Sequence, residues 1–298
     1  MTTKDAHDDF LNKLSKVYEK REAVNITDWV LENVTGLKRL ERIINKNVVL
    51  DDDKILQLEE YLKELLTHRP VQYVLNEAWF YKMKFYVDEH VLIPRPETEE
   101  LVEWITNEVR NTIYGLRNKE LQILDIGTGS GCIPISIKGK LRNVQITSID
   151  ISSKALQVAN RNAEALHAEI NFIQIDFLDE KSWDTLHHYD VIVSNPPYIP
   201  ENEKGKLEKN VTAFEPAIAL FVPDDNPLIF YEKIVKFAQS HLNANGQVYV
   251  EIHEDYSKEV EKTFAENDFQ TEIKRDIYGK ARMIRASKLW VLLSYNQE

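Results

Sequence analysis

The chain has a single cysteine, Cys132, among its 298 residues. No intrachain disulfide can form, and a reducing compartment is expected. Cys132 follows a glycine-rich loop near an expected helix start, where a thiol pKa can fall. No motif in the chain needs a thiol, so it reads as a small buried filler. No apolar run approaches the length of a membrane span. The first residues, Met1-Thr2-Thr3-Lys4-Asp5, carry no signal-peptide core. No membrane association and a cytoplasmic location are therefore expected. Positive charge is also short: 37 Lys and Arg face 49 Asp and Glu, a net charge of -12. That disfavours a duplex-binding surface, and no stable nucleic-acid binding is expected. No His, Cys or Asp cluster has metal-ligand spacing, so no metal is expected, and His187, His188 and His253 read as solvent-facing or packed. The acid run Asp51-Asp52-Asp53 lacks the glycine and distant glutamate of a calcium loop, and helix capping explains it better. No internal repeat or low-complexity segment is evident.

What remains is ordinary for a globular protein, 43% hydrophobic and 29% charged residues. The first 70 or so residues carry helical stripes. Phe10, Leu11, Leu14, Val17 and Tyr18 form one. Thr27 is placed to cap a second helix with Trp29, Val30 and Val34, ending near Gly36. Leu37, Leu40, Ile43 and Ile44 fit a third, and Ile55, Leu58, Tyr61, Leu62, Leu65 and Leu66 a fourth. All four stripes read as core. Residues 71–95 alternate aromatic and polar around Trp79-Phe80-Tyr81 and Phe85-Tyr86-Val87, which predicts a β-hairpin between two domains. Asn76 stands at its start and tolerates a left-handed backbone. Pro96 is well placed to start a helix over Thr98 to Val109.

From there the pattern alternates strand and helix. Strands are expected at 121–126, 144–150, 170–175, 189–194, 247–252, 271–275 and 283–286, the last two as an antiparallel pair. The fold class is α/β, a seven-stranded, mostly parallel, Rossmann-like sheet behind a small N-terminal helical bundle and the hairpin. Domain bounds are set at 1–70, 71–95 and 96–298. A long loop from Pro200 to Pro227 is expected to cover part of a site, since loops of that length are uncommon without a function. The tail Leu289 to Glu298 has no assignment.

Two motifs carry chemistry. The buried strand Leu121 to Ile126 runs into Gly127-Thr128-Gly129-Ser130-Gly131 and then into the helical Cys132-Ile133-Pro134-Ile135. Glycines let a ligand approach the backbone closely. The next strand ends in Asp150, an acid able to accept bonds from both ribose hydroxyls. This is a nucleoside-binding βαβ unit. Its GxGxG spacing lacks the third glycine of the dinucleotide fingerprint and does not by itself choose a cofactor. The second motif is Asn195-Pro196-Pro197-Tyr198, at the end of the strand Tyr189 to Ser194. Two prolines remove two donors and fix two φ angles. The stiff corner leaves the Asn195 carboxamide and the Pro196 carbonyl free to accept, with an aromatic ring alongside. Such a corner suits a planar NH2 group; a plain Pro-Pro turn is the alternative.

Five segments occur in order: Arg69-Pro70-Val71-Gln72-Tyr73; Val91-Leu92-Ile93-Pro94-Arg95-Pro96-Glu97-Thr98-Glu99; Asp125 to Gly131; Asn195 to Ile199; and Phe214-Glu215-Pro216-Ala217. In this order the chain, to about Ala286, resembles the bacterial peptide chain release factor glutamine N5-methyltransferases. The resemblance implies an S-adenosylmethionine-dependent enzyme that methylates the glutamine of a Gly-Gly-Gln loop in class I release factors. By resemblance, Asn195 and Pro196 hold the substrate amide, with Pro197 stiffening the corner and Tyr198 packing against the amide. Gly127, Thr128, Gly129, Ser130 and Gly131 approach the methionine part of the cofactor, Asp150 its ribose and Phe177 its adenine. Phe214 and Glu215 shape the far wall, and residues 1–70 dock the protein substrate. His253 stands where relatives often carry glycine. The corner is shared with adenine-N6 methyltransferases, so an enzyme acting on DNA or RNA is the rival; a non-catalytic cofactor-binding protein and a nicotinamide dehydrogenase are less well supported.

Overall fold

The computed structural model describes residues 1–111 and 120–288. The tail Leu289 to Glu298 lies outside them. The chain falls into two compact units.

The first unit holds Met1–Glu77, with Val87–Glu89 and Leu207–Phe214. Its helices are α1 (Thr3–Leu14), α2 (Lys20–Thr35), α3 (Arg39–Ile44), α4 (Asp52–Leu65) and α5 (Val71–Leu75). Phe10, Leu14, Ala23, Val30, Leu31, Leu58 and Leu65 pack into one core. Asp51 caps α4 by accepting the Lys54 N–H at 2.9 Å. Gly36 ends α2 at φ 70°. Asn76 ends α5 in the left-handed region at φ 51°, and its amide donates to the Val87 carbonyl at 3.0 Å.

Two expectations for this unit need correcting. Thr27 does not cap α2. The helix begins seven residues earlier, at Lys20, and the Thr27 hydroxyl donates to the Ala23 carbonyl at 2.7 Å. A mid-helix threonine can satisfy its hydroxyl on the preceding turn, while Ala23 and Ile26 extend the apolar stripe. The α3 stripe is not core either. Leu40, Ile43 and Ile44 are 74%, 60% and 80% exposed. The buried side chain of this six-residue helix is Arg42, held by Asp28 at 2.5 Å and by the Leu37 carbonyl at 2.7 Å.

The second unit holds Ala78–Tyr86, His90–Lys206 and Glu215–Glu298. It begins with a hairpin of β1 (Ala78–Phe80) and β2 (Met83–Phe85). The hairpin is shorter than its sequence pattern, because Val71 to Leu75 is helical. Tyr81 and Lys82 turn it with positive φ at both positions, as a two-residue hairpin requires. Then come α6 (Pro96–Asn111), β3 (Leu121–Ile126), α7 (Cys132–Lys140), β4 (Val144–Asp150), α8 (Ser153–Ala165), β5 (Asn171–Gln174) and β6 (Tyr189–Ser194). The stretch read as a long loop is not featureless. It contains β7 (Ile199–Pro200) and β8 (Phe221–Val222), which pair in parallel, and α9 (Lys209–Phe214), which belongs to the first unit. The chain finishes with α10 (Ile229–His241), β9 (Leu242–Glu251), α11 (Ser257–Ala265), β10 (Phe269–Arg275) and β11 (Ala281–Lys288).

The main sheet has seven strands in the order β10-β11-β9-β6-β3-β4-β5. Its five central and right-hand strands are parallel, and β11 lies antiparallel to both β9 and β10. Burial on both faces explains the continuous apolar runs in the parallel strands. Val191 and Val193 of β6 enter one core with α6 and α7, while Ile192 enters the other with α10 and α11. The strand order reverses at β3, which lies between β4 and β6. Open α/β sheets bind ligands at such a reversal, beyond the carboxyl ends of the strands.

Candidate active site

The strand register brings the motif residues to one edge. Ile126 is level with Ile149 on β4 and with Ser194 on β6. Asp150 is level with Gln174, and Ser194 with Val250. Gly127, Asp150, Asn195 and Glu251, one residue further along each strand, therefore emerge side by side, with Gln174 level with Asp150. A cavity of about 220 Å³ lies at this edge. It is lined by Gly127 to Ser130, Asp150, Phe177, Asn195, Pro196 and Pro197, all named from sequence. Its walls also include His90, Leu92, Arg95, Thr98, Ala219 and Phe230, which sequence reasoning did not assign to the site. Gly131, Tyr198, Phe214 and Glu215 do not line it.

The glycines do different work. Gly127 and Gly129 have φ of 76° and 54°, and nothing within 4 Å of a built Cβ, so a side chain there would enter open space. Gly131, at φ 79°, caps α7, and a Cβ would meet Ile135 at 3.0 Å and Ala159 at 3.3 Å. It serves close packing of α7 on α8. Asn162, on α8, reinforces the loop. Its amide donates to the Ser130 and Tyr86 carbonyls, each at 2.9 Å, and its oxygen accepts the Tyr86 N–H at 2.7 Å. Asp150 accepts the Gly129 and Ser152 N–H groups, one on each oxygen, both at 2.9 Å. Burial raises its carboxyl pKa, and these N–H bonds oppose the rise. Each oxygen keeps a further accepting direction.

Burial decides the state of two other groups. It pushes the Cys132 thiol up to about 12, so any helix-start effect is overruled and the thiol is inert at neutral pH. It pushes the fully buried Asp125 carboxyl up to about 7, with the nearby Asp150 charge adding to the rise. The Thr128 and Ser148 hydroxyls sit near Asp125, but neither reaches hydrogen-bond geometry. A carboxyl with a raised folded-state pKa favours the fold below its unfolded pKa and loses that contribution as pH climbs through about 7. Asp125→Asn is thus expected to gain stability relative to the parent chain between about pH 4 and pH 8, by up to roughly 4 kcal/mol. Urea unfolding of both chains across that range measures it; a difference that does not change with pH contradicts the assignment.

The proline corner is tied from behind. The Asn195 amide donates to Thr98 Oγ1 at 3.2 Å. Thr98 Oγ1 donates to Glu251 Oε2 at 2.7 Å, and the Tyr198 hydroxyl donates to Glu251 Oε1 at 3.1 Å. Thr98 and Glu251 are each 2% exposed. Burial raises the Glu251 carboxyl pKa, against the two hydroxyls and the Arg282 charge. Desolvation and the Glu251 charge hold the Tyr198 phenol above its ordinary range, so it stays protonated. His253 has φ -72°, so its position needs no glycine. Its ring accepts the Asp255 N–H at 3.2 Å and meets Tyr198 edge-on at 6.0 Å. Glu215 accepts from Arg95 at 2.5 Å and from the Ile93 N–H at 3.2 Å, joining two motifs about 120 residues apart. Among the described residues, no group of His, Cys, Asp or Glu is placed to hold a metal, and no helix is long and apolar enough to cross a membrane.

Residues 6–75 match the PrmC N-terminal domain and residues 110–214 the Methyltransferase small domain. A release factor glutamine methyltransferase of Flavobacterium psychrophilum is 42% identical over 96% of this chain and 99% of its own length. The chain belongs to the release factor glutamine methyltransferase family. Other members are the same-named proteins of Bacteroides thetaiotaomicron, 35% identical over 92% of this chain and 96% of that one, and of Lactococcus lactis, 40% identical over 86% and 92%. Family membership covers both the helical unit and the sheet unit, and the Methyltransferase small domain match takes in Gly127 to Ser130, Asp150, Phe177 and Asn195 to Pro197 of the cavity lining.

Proposed function

We propose that this chain transfers a methyl group from S-adenosylmethionine to the side-chain amide nitrogen of the glutamine in the Gly-Gly-Gln motif of class I release factors, acting in the cytoplasm. One observation carries the reading beyond family membership. Asn195 spends its NH2 on Thr98, and among the described residues no donor reaches its Oδ1, at the wall of the cavity. An acceptor held there suits an incoming NH2 group.

The residues fit the cofactor. Gly127 and Gly129 open space that a Cβ would fill. Thr128, in the cavity wall, and Asp125, two residues before Gly127, hold buried polar atoms without hydrogen-bond partners. Gly127 to Gly131 would hold the methionine portion, Asp150 the ribose hydroxyls, and the edge of Phe177, packed on Trp183 and Phe237, the adenine. The cofactor supplies a methyl on a sulfonium, a leaving group good enough for a weak nucleophile. Asn195 Oδ1 and the Pro196 carbonyl accept the two hydrogens of the substrate amide and turn its nitrogen lone pair towards the methyl. Pro196 and Pro197 keep those acceptors fixed. Positioning of this kind can supply roughly 7–11 kcal/mol in favourable cases. The phenol of Tyr198 is committed to Glu251. Its contribution is to brace the corner, and it does not act as a base.

Mass spectrometry of a purified class I release factor after incubation with cofactor is expected to place one methyl on that glutamine. Methyl on adenine of a DNA or RNA control, with none on the factor, refutes the reading. Docking by residues 1–70 belongs to the same proposal, and a far lower kcat/KM on the isolated Gly-Gly-Gln peptide than on the intact factor is its expected sign.

Asp150→Ala removes two ribose acceptors and also frees the Gly129 N–H. Charge-assisted bonds are worth about 1.5–3 kcal/mol each. Calorimetry is expected to show cofactor binding weakened at least about tenfold. Unchanged affinity in a folded variant would put the ribose elsewhere.

A further inference from the structure

We infer that Thr98 and Glu251 are positioning residues that fix which end of the Asn195 carboxamide faces the substrate. The inference rests on the amide-transfer reading and deepens it. A carboxamide has two nearly isosteric ends, one accepting and one donating. Only the accepting end can receive the substrate NH2; the donating end would set two NH2 groups against each other. Something must therefore fix the rotamer.

The hydrogen-bond chain does so by polarity. Glu251 sits at the end of β9, brought beside Asn195 by the parallel pairing of Ser194 with Val250. Each of its oxygens takes a hydroxyl proton as acceptor. It faces two hydroxyls, Tyr198 at 3.1 Å on one oxygen and Thr98 at 2.7 Å on the other. The Thr98 proton is thereby committed to Glu251. Towards Asn195, the Thr98 oxygen has only lone pairs to offer. The group it meets at 3.2 Å must be the Asn195 NH2, which leaves Oδ1 for the substrate. Thr98 and Glu251 are almost wholly buried, so bulk water does not compete for these bonds. Glu251 does not line the cavity. Its effect reaches the substrate only through Thr98 and the corner.

This also accounts for a buried acid at the end of an otherwise apolar strand, Val248-Tyr249-Val250-Glu251. A carboxylate is costly there unless hydrogen-bonded. Both of its oxygens are used, and both lead to the proline corner.

The test uses single-turnover methylation of intact release factor at saturating cofactor. Thr98→Val keeps the shape of the side chain and removes the acceptor for the Asn195 NH2. Its rate is expected to fall about tenfold to 100-fold, with cofactor Kd and release factor KM within about twofold of the parent chain. Thr98→Ser restores the hydroxyl and is expected to recover most of that loss. Glu251→Gln offers one acceptor to two hydroxyls and is expected to lose about threefold to tenfold. In an Asn195→Ala background, Thr98→Val is expected to cause no further loss, because the group it orients is gone, and Glu251→Gln clearly less than in the parent chain, since only its hold on Tyr198 remains to be lost. A parent-like rate for Thr98→Val, or full additivity with Asn195→Ala, overturns the inference and leaves a merely structural role. If Thr98→Val does not fold, Glu251→Gln decides: a parent-like rate, or additivity with Asn195→Ala, overturns the inference. Failure of the parent chain itself to methylate release factor would overturn the functional reading instead.

Discussion

Asn195→Ala is expected to lower kcat at least about 100-fold, equivalent to about 2.7 kcal/mol or more, while cofactor affinity changes only modestly. The asymmetry follows from where the residue acts. An amide nitrogen has its lone pair delocalised into the carbonyl, and it becomes nucleophilic only as planarity is lost. An acceptor aimed at the NH2 hydrogens gains most in that twisted arrangement, so its removal acts on the transition state more than on binding. The Pro196 carbonyl remains, so activity is reduced and not abolished. Asn195→Asp keeps two acceptors but loses the NH2 that Thr98 receives at 3.2 Å, and it adds a negative charge to a cavity that Asp150 also lines. It is expected to retain more activity than Asn195→Ala. Single-turnover assays isolate the step; methyl transfer at the parent rate by Asn195→Ala would dispose of the clamp.

The parts of this chain legible in sequence are those set by local pattern. The sequence pattern marks seven strands, β3 and β6 most clearly by apolar runs buried on both faces, and the observed sheet contains all seven. Gly36 and Asn76 were readable because few residues adopt a left-handed backbone cheaply, and both do so. The misreadings arose where tertiary partners override local preference. Thr27 resembles a cap by composition but satisfies its hydroxyl inside α2. Leu40, Ile43 and Ile44 have helical spacing, yet α3 turns Arg42 inward because Asp28 and the Leu37 carbonyl satisfy it. The site divides in the same way. Gly127 to Ser130, Asp150 and Asn195 carry motif signatures, and they converge because parallel register aligns strand ends. Tyr198 also sits in a motif, but its hydroxyl turns away to Glu251. Thr98 lies in the Val91 to Glu99 segment, but nothing there marks it apart from its neighbours, and Glu251 shows only as an acid after an apolar run. The one available signal was that acid ending β9, which has meaning only once β9 is known to pair with β6.

Glu215→Ala is expected to cost roughly 3 kcal/mol locally and to weaken cofactor binding at least about tenfold, although Glu215 does not line the cavity. The Glu215 side chain is 1% exposed and that of Arg95 33% exposed. Truncating Glu215 leaves Arg95 without its partner and the buried Ile93 N–H without its acceptor. The full cost of breaking a buried pair is about 3–5 kcal/mol. Water relieves part of it for the one-third exposed arginine, while the orphaned N–H adds about 1–3 kcal/mol. The consequence falls on Val91, Leu92, Pro94 and Arg95, which form one wall of the cavity. Glu215→Gln keeps an acceptor for Ile93 and is expected to fall between the parent chain and Glu215→Ala. If Arg95 and Glu215 work as one tie, Arg95→Ala combined with Glu215→Ala loses less than the sum of the two single losses. Calorimetric titration of cofactor into all four chains reads that coupling directly. Strict additivity would mean that the two motifs meet without depending on each other, and the wall formed by Val91, Leu92, Pro94 and Arg95 would then need another anchor.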